Sequence, residues 1–256
     1  MTSNVLAGSP GDCCFTRGVK HSGTPVGRAE MFAGVESYVS EPSSFNGGTK
    51  SVILFMPDIW GPFTNNAKLI QDYFAANDFF VVGPDYFFGD TVDTHDNEAG
   101  FDRMAWVQKK KVVADESVPK WFSAVNEKYG SDAKYCAVGY CFGAPYVLEW
   151  ATSSDAIIAG AFAHPALLNE DHFSNIKKPL LMSCAESDWT FPLPARRRAE
   201  DLLVQAKAQY CIHVFSGVAH GFATRGDPND NDARWAKEES ASSVVRWFQR
   251  FAKESK

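Results

Sequence analysis

Short apolar runs recur along the chain and alternate with segments whose apolar positions fall at helical spacing. The runs Glu36–Val39, Val52–Met56, Phe79–Gly83, Tyr135–Val138, Ile157–Ala161, Leu180–Ser183 and Ile212–Phe215 predict strands. Several are apolar without interruption, which suits strands buried on both faces of a parallel sheet. Between them, Asn65–Ala76, Val118–Tyr129, Ala144–Ala151, Ala195–Ala208 and Arg234–Ala252 predict helices. In the last of these, Trp235, Val244, Val245, Trp247, Phe248 and Phe251 form an apolar stripe. The alternation predicts a single α/β domain over residues 1–256, a doubly wound, mostly parallel sheet flanked by helices. Residues 1–35 read as an extended N-terminal arm, and residues 86–117 break the pattern and read as an insertion or cap near the site.

Composition narrows the function classes. Hydrophobic residues make up 45% and charged residues 22% of the 256 positions, as in soluble globular proteins. The net charge is −6, and the basic runs are no longer than Lys109–Lys111 and Arg196–Arg198, which argues against nucleic acid as a partner. No segment is long and apolar enough for a membrane span, and MTSNVLAGSPGDCC lacks the features of a secretory signal. The six cysteines are dispersed rather than arranged as a disulfide scaffold, so a cytoplasmic, reducing location is expected.

The sharpest local signal is Gly139-Tyr140-Cys141-Phe142-Gly143, directly after a predicted strand and directly before a predicted helix. This is the arrangement of a nucleophile elbow with cysteine in the reactive position. A tight strand-to-helix turn needs glycines two positions either side of the nucleophile. It also places the amide of Phe142 at a helix N-terminus, where N–H groups stabilise negative charge.

A cysteine nucleophile needs a base, and the base needs an orienting group. His220, in Ala219-His220-Gly221, follows the predicted strand IHVFSG. Asp188 follows LLMSCA, with Glu186 as a competitor that lies less deep in the loop. Both fall at the sheet edge where Cys141 emerges. His21, His95, His172 and His213 lie in the arm, the insertion, a polar loop and a strand, and His164 follows a strand end where it suits a structural or substrate-contact role. Cys13-Cys14 and His21 lack metal-ligand spacing, so no metal is predicted.

Taken with CCFTRGVKHSGTPVGR, PDIWGP, GPDYFFGD, GYCFGAP, AESDWTFP and GVAHGFATRGD, these residues make the chain resemble the dienelactone hydrolase family over nearly its whole length, particularly its eukaryotic, fungal-type branch. The resemblance implies an α/β-hydrolase fold, Cys141 as nucleophile, His220 as base, Asp188 as its partner, and no metal or organic cofactor. It also implies an auxiliary acid at Asp58, where bacterial members usually carry a glutamate that holds or deprotonates the thiol. The alternative for Asp58 is a loop carboxylate near the helix start at Thr64. The amide of Ile59 is then the second oxyanion donor beside that of Phe142.

Bacterial members bind the substrate carboxylate through arginines. Here one such position carries aromatics, and Arg225 is one residue away from the other. Trp60, Phe63, Tyr86, Phe87, Trp189 and Phe222 fit an aromatic, less acidic substrate, and all but Phe63 join Arg225 as candidate substrate-binding residues. The expected partner is a small-molecule ester or lactone, opened through a thioester by a monomer or homodimer. The alternatives are tailoring of a polyketide-derived lactone or anhydride in secondary metabolism, and a non-catalytic binding or redox-sensing protein of the same fold.

Overall fold

Strand β4 (Ser51–Met56) shows why the chain builds a covered sheet: Val52, Leu54 and Met56 pack into one apolar cluster while Ile53 and Phe55 pack into another. Alternate side chains of a strand point to opposite faces, so a strand apolar at every position must be buried twice. The same division holds in β6 (Lys134–Tyr140) and β9 (Leu180–Ser187). The structure is a computed structural model that describes residues 4–152 and 156–253.

The remaining strands are β1 (Val5–Ala7), β2 (Arg28–Phe32), β3 (Val35–Ser40), β5 (Phe80–Pro84), β7 (Ala159–Ala163), β8 (Leu168–Asn169) and β10 (Tyr210–Ala219). Among the described residues, eight of the ten strands form one sheet in the order β10-β9-β7-β6-β4-β5-β3-β2, parallel from β10 to β5 and antiparallel at β3 and β2. The helices are α1 (Asp12–Phe15), α2 (Asn65–Ala75), α3 (Arg103–Tyr129), α4 (Ala144–Thr152), α5 (Glu170–Ser174), α6 (Leu193–Gln205), α7 (Phe222–Arg225) and α8 (Asn231–Lys253). Phe74 of α2 and Phe248 of α8 share one core with Ile53 and Phe55; Trp121 of α3, Val147 of α4 and Leu202 of α6 share the other with Val52 and Leu54. Helices therefore cover both faces. No helix among the described residues is long and apolar enough to cross a membrane.

The observed elements differ from the expected ones in instructive ways. The arm contains β2, an edge strand with mostly exposed side chains, and β1, which pairs antiparallel with β8. The helix expected from Val118 begins at Arg103, with Asp102 capping it through the amides of Met104 and Ala105. The lysine run and the internal Pro119 weaken the apolar periodicity that would have revealed its first half. Residues 86–102 alone remain irregular, apart from a 3₁₀ turn at Val92–His95.

Candidate active site

The parallel strands deliver their side chains to one edge. Asp58 follows the end of β4, Cys141 that of β6, His164 that of β7, Asp188 that of β9 and His220 that of β10. The last two emerge side by side because Ala219 pairs with Ser187 after an irregularity between Phe215 and Ala219. Glu186 is occupied at this irregularity, where its carboxylate accepts from the amide of Gly217 at 2.9 Å.

Cys141 has φ of +49°, a left-handed conformation that costs a residue with a Cβ about 1 kcal/mol or more. Its backbone opens a 3₁₀ turn, Cys141–Gly143, that runs directly into α4. The turn tolerates no side chain beside it. A Cβ on Gly139 would lie 2.6 Å from the carbonyl oxygen of Gly143, and one on Gly143 would lie 2.2 Å from that of Met56. The amide of Phe142 sits within this turn, and Ile59 lies just past the neighbouring strand, since Met56 pairs with Gly139.

From the sulfur of Cys141 a chain of polar contacts runs through buried groups. Cys141 Sγ donates to Cys14 Sγ at 3.6 Å, and Cys14 Sγ lies 3.2 Å from His220 Nε2. On the far side of the ring, His220 Nδ1 donates to Asp188 Oδ1 and Oδ2 at 2.9 and 3.0 Å. Asp188 Oδ1 also accepts from the amides of Thr190 and Phe191 at 2.9 and 3.2 Å. The Thr190 hydroxyl lies 2.6 Å from the same oxygen and 2.8 Å from Nδ1. His164 covers the imidazole edge-on, with ring centroids 4.9 Å apart.

Burial alone would favour neutral His220, but its bonds to Asp188 and Cys14 outweigh that and push its pKa up to about 10. Asp188 has the converse balance: burial raises its pKa, while His220, Thr190 and the Phe191 amide hold it below its ordinary value. His164 is kept well below the histidine range, first by burial and then by the charges of His220 and Arg225.

These shifts have a signature in stability. A raised histidine pKa stabilises the fold fully below its unfolded value of 6.5, and the effect is lost as pH rises towards 10. The lowered Asp188 contributes above its ordinary 3.8 and is lost as pH falls through its folded pKa. His220→Gln should therefore lower the thermal midpoint most at about pH 4–6.5 and progressively less towards pH 10. Paired melting curves across that range test this, and a deficit independent of pH would overturn it.

Asp58 engages a different set of partners. Its Oδ1 accepts from the Trp60 amide at 3.0 Å, and its Oδ2 accepts from Thr224 Oγ1 at 2.9 Å and from Arg225 Nη1 at 2.6 Å. None of these bonds goes to a cysteine. Asp58, Trp60, Thr224 and Arg225 line a cavity of about 410 Å³, and the Arg225 guanidinium lies 5.7 Å from the Trp60 ring. A second cavity of about 260 Å³ is lined by Cys13, His220, Phe222 and again Arg225. Cys141, fully buried, lines neither.

The strand order agrees with what comparison with known proteins finds. The model of the dienelactone hydrolase family matches residues 35–252. The chain belongs to the dienelactone hydrolase family. It is a hydrolase of ester or lactone bonds. It is 36% identical over 251 residues to a protein named Dienlactone hydrolase 1 from Gibberella moniliformis, covering 95% of each chain. It is 37% identical over 245 residues to Hydrolase pyvD from Aspergillus violaceofuscus, covering 95% of this chain and 98% of that one. A solved Klebsiella pneumoniae structure, provisionally described as a dienelactone hydrolase, shares the fold with a TM-score of 0.74 at 14% identity, over 90% of this chain and all of its own.

Within this hydrolase the aromatic candidates separate. Trp60 and Phe222 line the two cavities, whereas Trp189 is 90% exposed. Tyr86 and Phe87 line neither cavity; they are wholly buried against Phe142, with the Tyr86 hydroxyl donating to the Pro57 carbonyl. Phe63 packs edge-on against Tyr38. Sequence reasoning did not place Cys14 or Thr190 in the site. The adjacent cysteines drew notice only as an improbable metal pair, although Cys13, Cys14 and His220 offer ligand atoms within 4.8 Å of one another.

Proposed function

We propose that this hydrolase opens a lactone, enol ester or similarly activated ester through a thioester on Cys141, with His220 as base and Asp188 as its orienting partner. The observation that supports the reading is Cys141 at φ +49° on a glycine-framed turn, beside a buried His220–Asp188 pair at neighbouring strand ends. In this reading the sulfur attacks the carbonyl and the amides of Ile59 and Phe142 hold the oxyanion. Loss of the alcohol or enol gives the thioester, and water then releases the acid. A thiolate leaves a tetrahedral intermediate more readily than an ordinary alkoxide, so activated leaving groups are favoured.

We take the 410 Å³ cavity as the acyl subsite, because it is lined by Asp58 and Trp60 on either side of Ile59. Asp58 belongs to this subsite as the partner of Arg225 rather than as an acid acting on a thiol. Arg225 is already paired with that carboxylate, so it is no free clamp for a substrate carboxylate. Shape and the faces of Trp60 and Phe222 then select the substrate.

Incubation with an activated aryl ester, acid quench and peptide mass spectrometry should find one acyl group on the peptide containing Cys141. Steady turnover with acylation elsewhere, or without any adduct under burst conditions, would remove Cys141 from this role.

A further inference from the structure

The sulfur of Cys141 and the imidazole of His220 do not meet directly; among the described residues each has Cys14 as its partner. Cys14 is fully buried, on the short helix α1. Its position is fixed from several directions. Its carbonyl accepts from Trp60 Nε1 at 2.9 Å, and its amide donates to Gly11 O at 2.8 Å. Upstream, the Gly8 amide donates to Thr190 O and the Leu167 amide to Gly8 O, both at 2.8 Å, which ties the arm to the loop carrying Asp188. Downstream, Phe15 packs edge-on against Trp106, and Arg103 pairs with Asp12 at 2.9 Å.

Packing alone explains a small apolar residue here, but not a thiol with a reactive group on each side. We propose that Cys14 is a catalytic proton relay between Cys141 and His220. The proposal rests on the reading of Cys141 as nucleophile.

The steps balance. At rest the Cys14 thiol donates to His220 Nε2, and the Cys141 S–H donates to the Cys14 sulfur. The bond with Cys13 lowers the Cys14 pKa, but the Cys141 contact and burial outweigh it and hold that pKa above its ordinary value. As the Cys141 sulfur bonds to the carbonyl carbon, its proton passes to Cys14, the Cys14 proton passes to His220 Nε2, and the carbonyl π pair becomes the oxyanion. When the oxyanion collapses, the carbon–oxygen bond to the leaving group breaks; that oxygen takes a proton from Cys14, and His220 returns one to Cys14. Water then attacks the thioester and gives a proton to Cys14, whose own proton passes to His220. The carbon–sulfur bond breaks, Cys141 takes a proton from Cys14, and His220 restores the Cys14 thiol. The charged and titratable groups around the relay, among the described residues, are Cys13, Tyr86, His164, Asp188, Arg225 and Cys141 itself.

The test is stopped-flow acylation by an activated aryl ester from pH 5 to 10, in wild type, Cys14→Ala, Cys14→Ser and Cys141→Ala, with melting curves for each. Loss of a proton-transfer group lowers such rates by about 10²–10⁴-fold, so Cys14→Ala should acylate at least about 100-fold more slowly with a changed pH profile. Cys14→Ser, nearly the same size and able to give and accept a proton, should recover part of the rate. A purely structural Cys14 predicts a loss that follows the melting temperature and an unaltered pH profile. Wild-type acylation and pH profile in folded Cys14→Ala, with Cys141→Ala inactive, overturns the relay alone. Turnover by Cys141→Ala overturns the nucleophile reading and the relay with it.

Discussion

Cys141→Ala lowers kcat/KM for an activated aryl ester by at least about 10⁴-fold while leaving the fold intact. A loss of that size, about 5.5 kcal/mol in transition-state stabilisation, is what deletion of a covalent nucleophile produces when the surrounding groups act on it as a unit. Alanine keeps the Cβ that already occupies the φ +49° conformation, so the turn is no more strained than before. The missing sulfur leaves a small void in a fully buried place, and the melting temperature should drop only modestly. Steady-state kinetics beside a melting curve is the measurement. The neighbouring Cys14 makes the experiment discriminating, because its sulfur already touches His220. If Cys141→Ala still turns over and the acyl group is found on Cys14, the chemistry belongs to α1 and the elbow only supports it.

Some of this site was legible in the sequence for definite physical reasons. The elbow announces itself because Gly139 and Gly143 are forced by close approaches to backbone atoms of Gly143 and Met56. Asp188 and His220 were placed by the rule that functional groups gather beyond the carboxyl ends of parallel strands. Other parts left no local trace. Cys14 meets Cys141 across 127 positions and His220 across 206, and no pattern within α1 encodes those contacts. Thr190 is an ordinary loop residue until Asp188 and His220 close around its hydroxyl. Strand β2 escaped because an exposed edge strand such as Arg28–Phe32 lacks a buried face to set an alternation. Asp58, which the family resemblance implies as an auxiliary acid toward the thiol, has its carboxylate held by Arg225 and Thr224, partners that no local pattern announces.

Gly143→Ala should destabilise the protein by about 3 kcal/mol or more, among the larger effects of a single substitution. The added Cβ would stand 2.2 Å from the carbonyl oxygen of Met56 and 2.6 Å from its carbonyl carbon. These are main-chain atoms of β4, which is paired on both sides, with β5 and β6. No side chain can swing away to relieve the contact. Either the turn lifts off the sheet or β4 shifts at its carboxyl end, and both moves disturb the Phe142 or Ile59 amides. For a chain of this length such a loss lowers the melting temperature by roughly 6–12 °C, and activity should fall further than stability at the assay temperature explains. Gly11→Ala is the control: its backbone lies at φ −106° and nothing stands within 4 Å of an added Cβ. That variant should melt within about 2 °C of wild type, as surface substitutions usually do. Calorimetry on the pair decides the matter, and equal melting temperatures would mean that the Cys141 turn does not pack against β4 as described.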